Sequence, residues 1–102
     1  MAVVVADVVL AYAGTKEGRP CVVLRWHPVD GVLVAVAGTG SEHPGKRHVT
    51  VAYGSEAWKA MGLTKTTYFY ATVVRLRPEQ VTPSGRCPPE ILAQLRELVG
   101  IR

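Results

Sequence analysis

Hydroxyl-bearing and basic side chains gather in one polar segment near the middle of the chain. This segment, GTGSEHPGKR, has no hydrophobic periodicity and predicts a loop. Cations and hydroxyl groups of this kind bind phosphate, so the loop is a candidate anion site. Its candidate binding residues, with the histidine that follows the loop, are Thr39, Ser41, Lys46, Arg47 and His48.

A second group of candidates lies on a predicted strand and in the turn before another strand. Tyr68, Tyr70 and Thr72 alternate along the sequence and therefore share one face of the strand. Lys16 lies in a polar turn, and Arg19 stands at the start of the strand that follows it. Such a surface could hold a sugar-phosphate chain by charge and its bases by stacking. The alternative is that the two tyrosines are ordinary strand residues.

Other chemistries find little support in the sequence. His27, His43 and His48 lack the spacing and the Cys or carboxylate neighbours of a metal site. The GTG triplet does not lead from a strand into a helix, which argues against a phosphate-binding loop of the nucleotide-binding type. Cys21 and Cys87 are far apart, and we expect free thiols in a reducing compartment. The sequence therefore predicts no metal and no cofactor.

The charge balance favours acidic partners. Lys and Arg number 12 against 8 Asp and Glu, which gives a net charge of +4. Such a surplus attracts polyanions, including nucleic acid. No apolar run approaches the roughly 20 residues that span a bilayer. Met1–Leu10 has no basic start and contains Asp7, so it predicts a strand rather than a signal peptide. We expect a cytoplasmic protein that does not contact a membrane.

Turn signals divide the chain into short β-rich elements without a linker or repeat, so residues 1–102 are expected to form a single domain. The continuous apolar character of Cys21–Leu24 indicates burial on both faces of its strand. The predicted strands are Val3–Tyr12, Pro20–Trp26, Val32–Ala37, His48–Tyr53 and Thr66–Leu76, with a short one at Gln80–Thr82.

Two helical segments complete the prediction. Ser55–Met61 predicts one or two turns, with Ser55 as the N-cap and Gly62 as the stop. Pro88 and Pro89 favour a helix start, and Gly100 ends that helix. Its apolar stripe is expected to pack on the sheet and consists of Ile91, Leu92, Leu95, Leu98 and Val99. The pattern predicts a mainly β protein, a small curled antiparallel sheet or barrel with a C-terminal helix.

Several of these segments, in order along nearly the whole chain, resemble the PemK/MazF family of toxins. Asp7–Leu10 is similar to the first strand of that family, and Gly18–Leu24 (GRPCVVL) to its Arg-Pro second strand. Gly31–Ala37 is similar to the third strand. Gly62–Leu63 with the long strand after it, and Cys87–Leu95 (CPPEILAQL), resemble the later strand and the opening of the last helix.

The resemblance implies an SH3-like barrel and a homodimer. It also implies an endoribonuclease, an mRNA interferase of a type II toxin–antitoxin system, which cuts single-stranded RNA without a metal and is neutralised by a cognate antitoxin. In that chemistry a base takes the ribose 2′-hydroxyl proton, an acid protonates the leaving 5′ oxygen, and a cation stabilises the phosphorane.

Carried over by position, Arg19 matches the arginine beside the scissile phosphate, and Arg75 is near the later strand-end arginine that binds RNA. The chain has Tyr70 and Thr72 where many relatives have Arg and Asp, and Arg47 where some have a catalytic Thr. His48 is then the expected base, because histidine titrates near pH 6.5, and Tyr70 an acid or donor.

The predicted catalytic residues are Arg19, His48, Tyr70 and Thr72. The alternative function is a catalytically degenerate binding module that holds a protein or nucleic acid without cleaving it.

Overall fold

A computed structural model describes residues 8–12, 20–27, 31–77 and 81–100 of the chain. Six strands and two helices follow one another within these ranges, and all strand pairs are antiparallel. The elements are β1 (Val8–Tyr12), β2 (Pro20–His27), β3 (Val32–Thr39), β4 (Val49–Val51), α1 (Glu56–Met61), β5 (Thr67–Leu76), β6 (Val81–Arg86) and α2 (Pro89–Val99).

The strands form one sheet in the order β4-β5-β3-β2-β1-β6, so the first three strands form an antiparallel meander. The helix α1 follows β4 at one edge of the sheet, yet it packs against β6 at the other edge. Gly85 of β6 allows this approach, because a Cβ there would lie 2.5 Å from the carbonyl oxygen of Ala60. The sheet is therefore curled, and the fold is the predicted mainly β, barrel-like arrangement with a C-terminal helix.

The helices end as the sequence predicts. The Ser55 side chain accepts a hydrogen bond from the Trp58 N–H, and Gly62 closes α1 in the left-handed conformation. Pro89 is the first residue of α2, and Gly100 caps its end. Of the predicted stripe on α2, Leu95 is fully buried, and Ile91, Leu92, Leu98 and Val99 pack against the same core. The expectation that α2 packs on the sheet is confirmed.

The second strand is buried on both faces, as its apolar run predicts. Val22 and Leu24 belong to the larger core, which includes Phe69 and Leu95. Cys21 and Val23 point to the opposite face, where they form a smaller cluster with Leu33, Ala35 and Leu76. Leu24 lies at a bulge in β2, and its carbonyl oxygen accepts a hydrogen bond of 3.1 Å from Nη2 of Arg96 in α2.

Three predicted strands end at least two residues away from their observed ends. The central loop begins at Gly40, because Gly38 and Thr39 continue β3. The strand β4 spans only Val49–Val51, shorter than the predicted His48–Tyr53. The last strand extends to Arg86 although its sequence, VTPSGR, contains Pro and Gly. These residues are tolerated because β6 is an edge strand with a bulge opposite Val9/Leu10. Residues 3–7 and Gln80 lie outside the described ranges.

Within the described ranges neither helix is long and apolar enough to cross a membrane.

Candidate nucleic-acid interface

The outer face of strands β3, β5 and β4 carries a row of hydroxyl groups. Thr39 of β3 is the register partner of Tyr68 of β5, and Tyr68 is the partner of Thr50 of β4. The core lies on the other face, because Phe69 between the two tyrosines is fully buried while Tyr68 and Tyr70 are half-buried. Strand alternation thus sends the tyrosines outward, as the sequence predicts.

A bulge with two extra residues in β5 interrupts its pairing with β3 at the centre of this face. Val73 is the partner of Val36 and Phe69 the partner of Gly38, so residues 70–72 lie opposite Ala37 alone. Two additional residues preserve the alternation, and Tyr70 and Thr72 line the same groove. Bulges of this kind redirect side chains and are frequent beside functional sites. No local sequence pattern indicates this bulge.

Gly38 makes this arrangement possible. A Cβ at this position would lie 2.6 Å from Cγ2 of Thr67 and 2.8 Å from Cε1 of Phe69. Only a glycine therefore lets β3 pass so close to the buried face of β5. The next residue, Thr39, then turns its side chain to the groove.

Loop 40–48 covers the bulge and is tied to it by Tyr70. The Tyr70 hydroxyl accepts a short hydrogen bond from the backbone N–H of His43. The His43 ring packs edge-on against the Tyr70 ring at 5.3 Å between centroids. The ring of His48, at the end of the loop, also contacts both tyrosines, with its centroid 5.2 Å from that of Tyr70 and 5.7 Å from that of Tyr68. Four rings therefore form one cluster on the outer face.

His48 is held by both of its ring nitrogens. Nδ1 lies 2.8 Å from the carbonyl oxygen of Lys46, which can only accept, so Nδ1 carries the proton. Nε2 is 3.5 Å from Oε2 of Glu42, a carboxylate whose side chain is half exposed. In the neutral ring Nε2 is therefore the basic nitrogen, and protonation would place its new N–H against Glu42.

Two adjoining grooves open at the bulge, with Lys46, Tyr70 and Thr72 shared between them. The first, of about 240 Å³, is also lined by Thr39 and His43. The second runs toward α2, where Arg47 and the half-buried Leu98 border it. Both grooves thus join cations to hydroxyl and aromatic groups, a composition suited to a phosphate and its attached sugar.

The predicted site residues fall into three groups by placement. The groove and the ring cluster bring together Thr39, Lys46, Arg47, His48, Tyr68, Tyr70 and Thr72, and Ser41 lies beside them, its N–H donating to Oγ1 of Thr39 at 3.3 Å. Arg75 is exposed farther along β5, opposite Val34, and lines neither groove. Lys16 and Arg19 lie outside the described residues, so their predicted roles stay predictions.

The structure adds residues that the sequence did not single out for this site. His43 lines the groove, Glu42 faces His48, and Thr50 extends the hydroxyl row. Lys65 lies over Gly40, where a Cβ would be 2.7 Å from its Nζ atom. Glu42 and His43 belong to the polar loop that the sequence indicates as a candidate anion site, so their position in the sequence is a signal for them. Lys65 has no comparable signal, because only tertiary folding brings it to the loop.

No group of three or more His, Cys, Asp or Glu side chains suited to a metal ion occurs among the residues that the structure describes.

Comparison with known proteins adds no name to this site: no family model matches the chain, and no curated protein matches it. The functional argument therefore rests on the groove and its chemistry.

Proposed function

We propose that this protein is an endoribonuclease that cleaves single-stranded RNA, related to the PemK/MazF toxins that its sequence resembles. The observation that carries the proposal is that two imidazoles, those of His43 and His48, both pack against the Tyr70 ring beside a cation-lined groove. Cleavage of RNA through its own 2′-hydroxyl needs a base, an acid and a positive charge, and no other component.

In the proposed reaction Nε2 of His48 takes the proton of the ribose 2′-hydroxyl, after the substrate displaces the exposed Glu42 side chain. The 2′ oxygen attacks the neighbouring phosphorus atom, and the bond from phosphorus to the 5′ oxygen breaks. His43 in its protonated form gives a proton to that leaving oxygen. The products are a 2′,3′-cyclic phosphate and a free 5′-hydroxyl, so atoms and charges balance. The Lys46 carbonyl keeps His48 in the tautomer that this role requires.

Lys46 is the proposed cation for the charge that develops on the phosphate. It lines both grooves, so its ammonium group can follow the phosphate through the reaction. Arg19 is the second cation that the family resemblance supplies. The hydroxyl groups of Thr39 and Thr72 are positioned to bind the non-bridging oxygens or the sugar.

The remaining parts of the proposal come from the resemblance and the charge. A net charge of +4 suits both an RNA strand and an acidic antitoxin. In this proposal the protein acts in the cytoplasm as a homodimer, within a type II toxin–antitoxin pair.

A second function, a binding module without catalysis, is favoured by one specific observation. Both ring nitrogens of His48 and the hydroxyl of Tyr70 are already engaged within the protein, His48 with Lys46 and Glu42, and Tyr70 with the His43 backbone. A surface of this kind can bind RNA or a protein by charge and stacking while leaving no group free to move a proton.

The test is cleavage of a single-stranded RNA in the presence of EDTA. We expect wild type to cut, and His48→Gln and His43→Gln each to cut about 10²–10⁴ times more slowly, the usual effect of losing a general base or acid. Lys46→Gln and Arg19→Ala should each slow cleavage by about 10²–10³. Lys59→Gln is the matched control for charge, because Lys59 lies on α1 and pairs with Glu56.

The outcomes separate the two functions. A wild type that binds RNA or a protein and leaves every RNA intact supports the binding module and contradicts the nuclease. If a protein that carries both His43→Gln and His48→Gln cuts RNA as fast as wild type, the proposed site is wrong. Melting curves of each variant establish that it is folded before its rate is compared.

A further inference from the structure

An aromatic pair outside the groove has no role in the proposed reaction. Tyr53, which follows β4, is 69% exposed, the highest exposure among the large hydrophobic residues that the structure describes. Its ring centroid lies 4.5 Å from that of Trp58 on α1, at an angle of 54°. An exposed aromatic side chain that keeps one face open is the usual platform for a ligand with a flat ring.

The pair is held in place before any ligand arrives. The backbone N–H of Tyr53 donates a 3.0 Å hydrogen bond to Oγ1 of Thr66, and Nε1 of Trp58 donates one of 3.1 Å to the carbonyl oxygen of Lys65. The cap of Ser55 on the Trp58 N–H fixes the first turn of α1. Because the Trp58 ring and the Tyr53 backbone are already held, a ligand loses less entropy in ordering this surface, which raises its affinity.

Lys65 connects the aromatic pair to the groove. Its carbonyl holds Trp58, while its ammonium end lies over Gly40, the residue directly after Thr39 of the groove. A positive charge thus lies between two aromatic surfaces, the ring cluster at one end and Tyr53 with Trp58 at the other. His48 and Tyr53 are five residues apart in the sequence, so at about 3.4 Å per residue they lie at most roughly 17 Å apart.

We propose that Tyr53 and Trp58 form a stacking site for a nucleobase of the same RNA strand whose scissile phosphate lies in the groove. Lys65 binds a phosphate between the two. The inference rests on the proposed function and extends it, because it assigns the direction in which the strand leaves the site. The alternation of ring, cation and ring matches a single-stranded nucleic acid, in which bases and phosphates alternate. A binding site for a protein partner at Tyr53 and Trp58 would not need the Lys65 cation beside it.

The experiment measures the binding of fluorescent 2′-O-methyl oligonucleotides, which lack the attacking hydroxyl and stay intact. A trinucleotide reaches only one of the two sites, and a dodecamer reaches both. Tyr53→Ala should weaken binding of the dodecamer by roughly 5- to 150-fold, the loss of one base–aromatic stack. Tyr53→Phe should bind like wild type, since it keeps the ring. Val73→Ala, which trims the other large exposed hydrophobic residue, is the control and should change nothing.

A second variant tests the cation independently of the ring. Lys65→Gln should weaken dodecamer binding and reduce the slope of log affinity against log salt by about one charge's worth. Its fold should be retained, because Trp58 and Thr67 bond to the Lys65 carbonyl and not to its side chain.

The failure of this inference is distinguishable from the failure of the proposed function. If wild type binds neither oligonucleotide, the proposed RNA function fails, and the inference fails with it. If wild type binds the dodecamer and Tyr53→Ala, still folded by its melting curve, binds it equally well, the stacking site alone is overturned. Loss of binding to a protein partner in Tyr53→Ala, with RNA binding unchanged, would also overturn it and assign the pair to that partner.

Discussion

The two faces of the central sheet differ in what covers them. One face packs against α1 and α2, and its core residues Val22, Val36, Phe69 and Leu95 are fully buried. The opposite face is buried at one end, around Val23, Leu33 and Leu76, and carries half-buried tyrosines and a polar loop at the other. Adjacent residues of a strand serve the two faces in turn, so Phe69 stabilises the fold while Tyr68 and Tyr70 form the candidate site.

Because of this division, we expect stability and function to respond to different substitutions in the same strand. The free energy of folding comes mainly from apolar area removed from water, about 25 cal/mol for each Å². The helix-covered face provides most of that area, whereas the side chains of the groove stay partly in water. Changes on the first face should lower the free energy of unfolding, and changes on the second should alter binding and rate.

The largest effect on stability is expected from Leu95→Asp. The substitution would bury an unpaired carboxylate in the core between α2 and the sheet, because Leu95 has no exposed surface. We expect a loss of about 3–5 kcal/mol in the free energy of unfolding, out of a typical 5–15 kcal/mol. Chemical denaturation measures it.

Gln94→Asp is the matched control, since it places the same carboxylate on the exposed side of the same helix. It should change the free energy of unfolding by less than about 0.5 kcal/mol. Equal effects of the two substitutions would mean that the helix-covered face is not the main source of stability.

An intermediate effect is expected where the two faces meet, at Gly38. The new methyl group of Gly38→Ala would overlap Thr67 and Phe69 on the core side, and the resulting overpacking should cost about 1–3 kcal/mol. The shift of β3 should also move Thr39 and weaken RNA binding. Thermal and chemical denaturation measure the first effect, and oligonucleotide titration measures the second.

Gly40→Ala provides the comparison, because its methyl group would meet only the flexible end of the Lys65 side chain, which can move aside. Its effect on unfolding should stay within about 0.5 kcal/mol. If Gly40→Ala lowers the free energy of unfolding as much as Gly38→Ala does, overlap with core side chains is not the cause of the loss at Gly38.

The smallest effect on stability is expected from Tyr70→Phe. It removes the acceptor for the His43 N–H, which lies on an exposed loop where water can replace the lost bond, so the cost should be under about 1 kcal/mol. The loop should nevertheless open more often, and hydrogen exchange of the His43 amide should become faster than in wild type. Tyr68→Phe is the control. Unchanged exchange at His43 would contradict the role of Tyr70 in holding the loop.

Much of the fold follows from local patterns. The apolar run at Cys21–Leu24 predicted a strand buried on both faces, and both faces are buried. The stripe of α2, with proline at its start and Gly100 at its end, predicted the helix and its contact with the sheet. These predictions succeed because alternation, helical periodicity and capping are properties of a few neighbouring residues.

The candidate site was only partly predictable. The polar loop and the alternating tyrosines pointed to the outer face of β5, and most of the residues chosen from them meet there. The strand β6 was underestimated because proline and glycine in its sequence are typical of turns, and only its place at the sheet edge makes them tolerable.

Local sequence patterns are enough to indicate which residues alternate, which helix faces are apolar and where the chain can turn, since these depend on backbone geometry over a few residues. Tertiary packing, in contrast, creates the bulge at residues 70–72, the contact of His43 with Tyr70 and the approach of Lys65 to Gly40. Each of these joins segments that are distant along the chain. Their geometry depends on how β3, β4 and β5 pack together, a property that no local pattern contains.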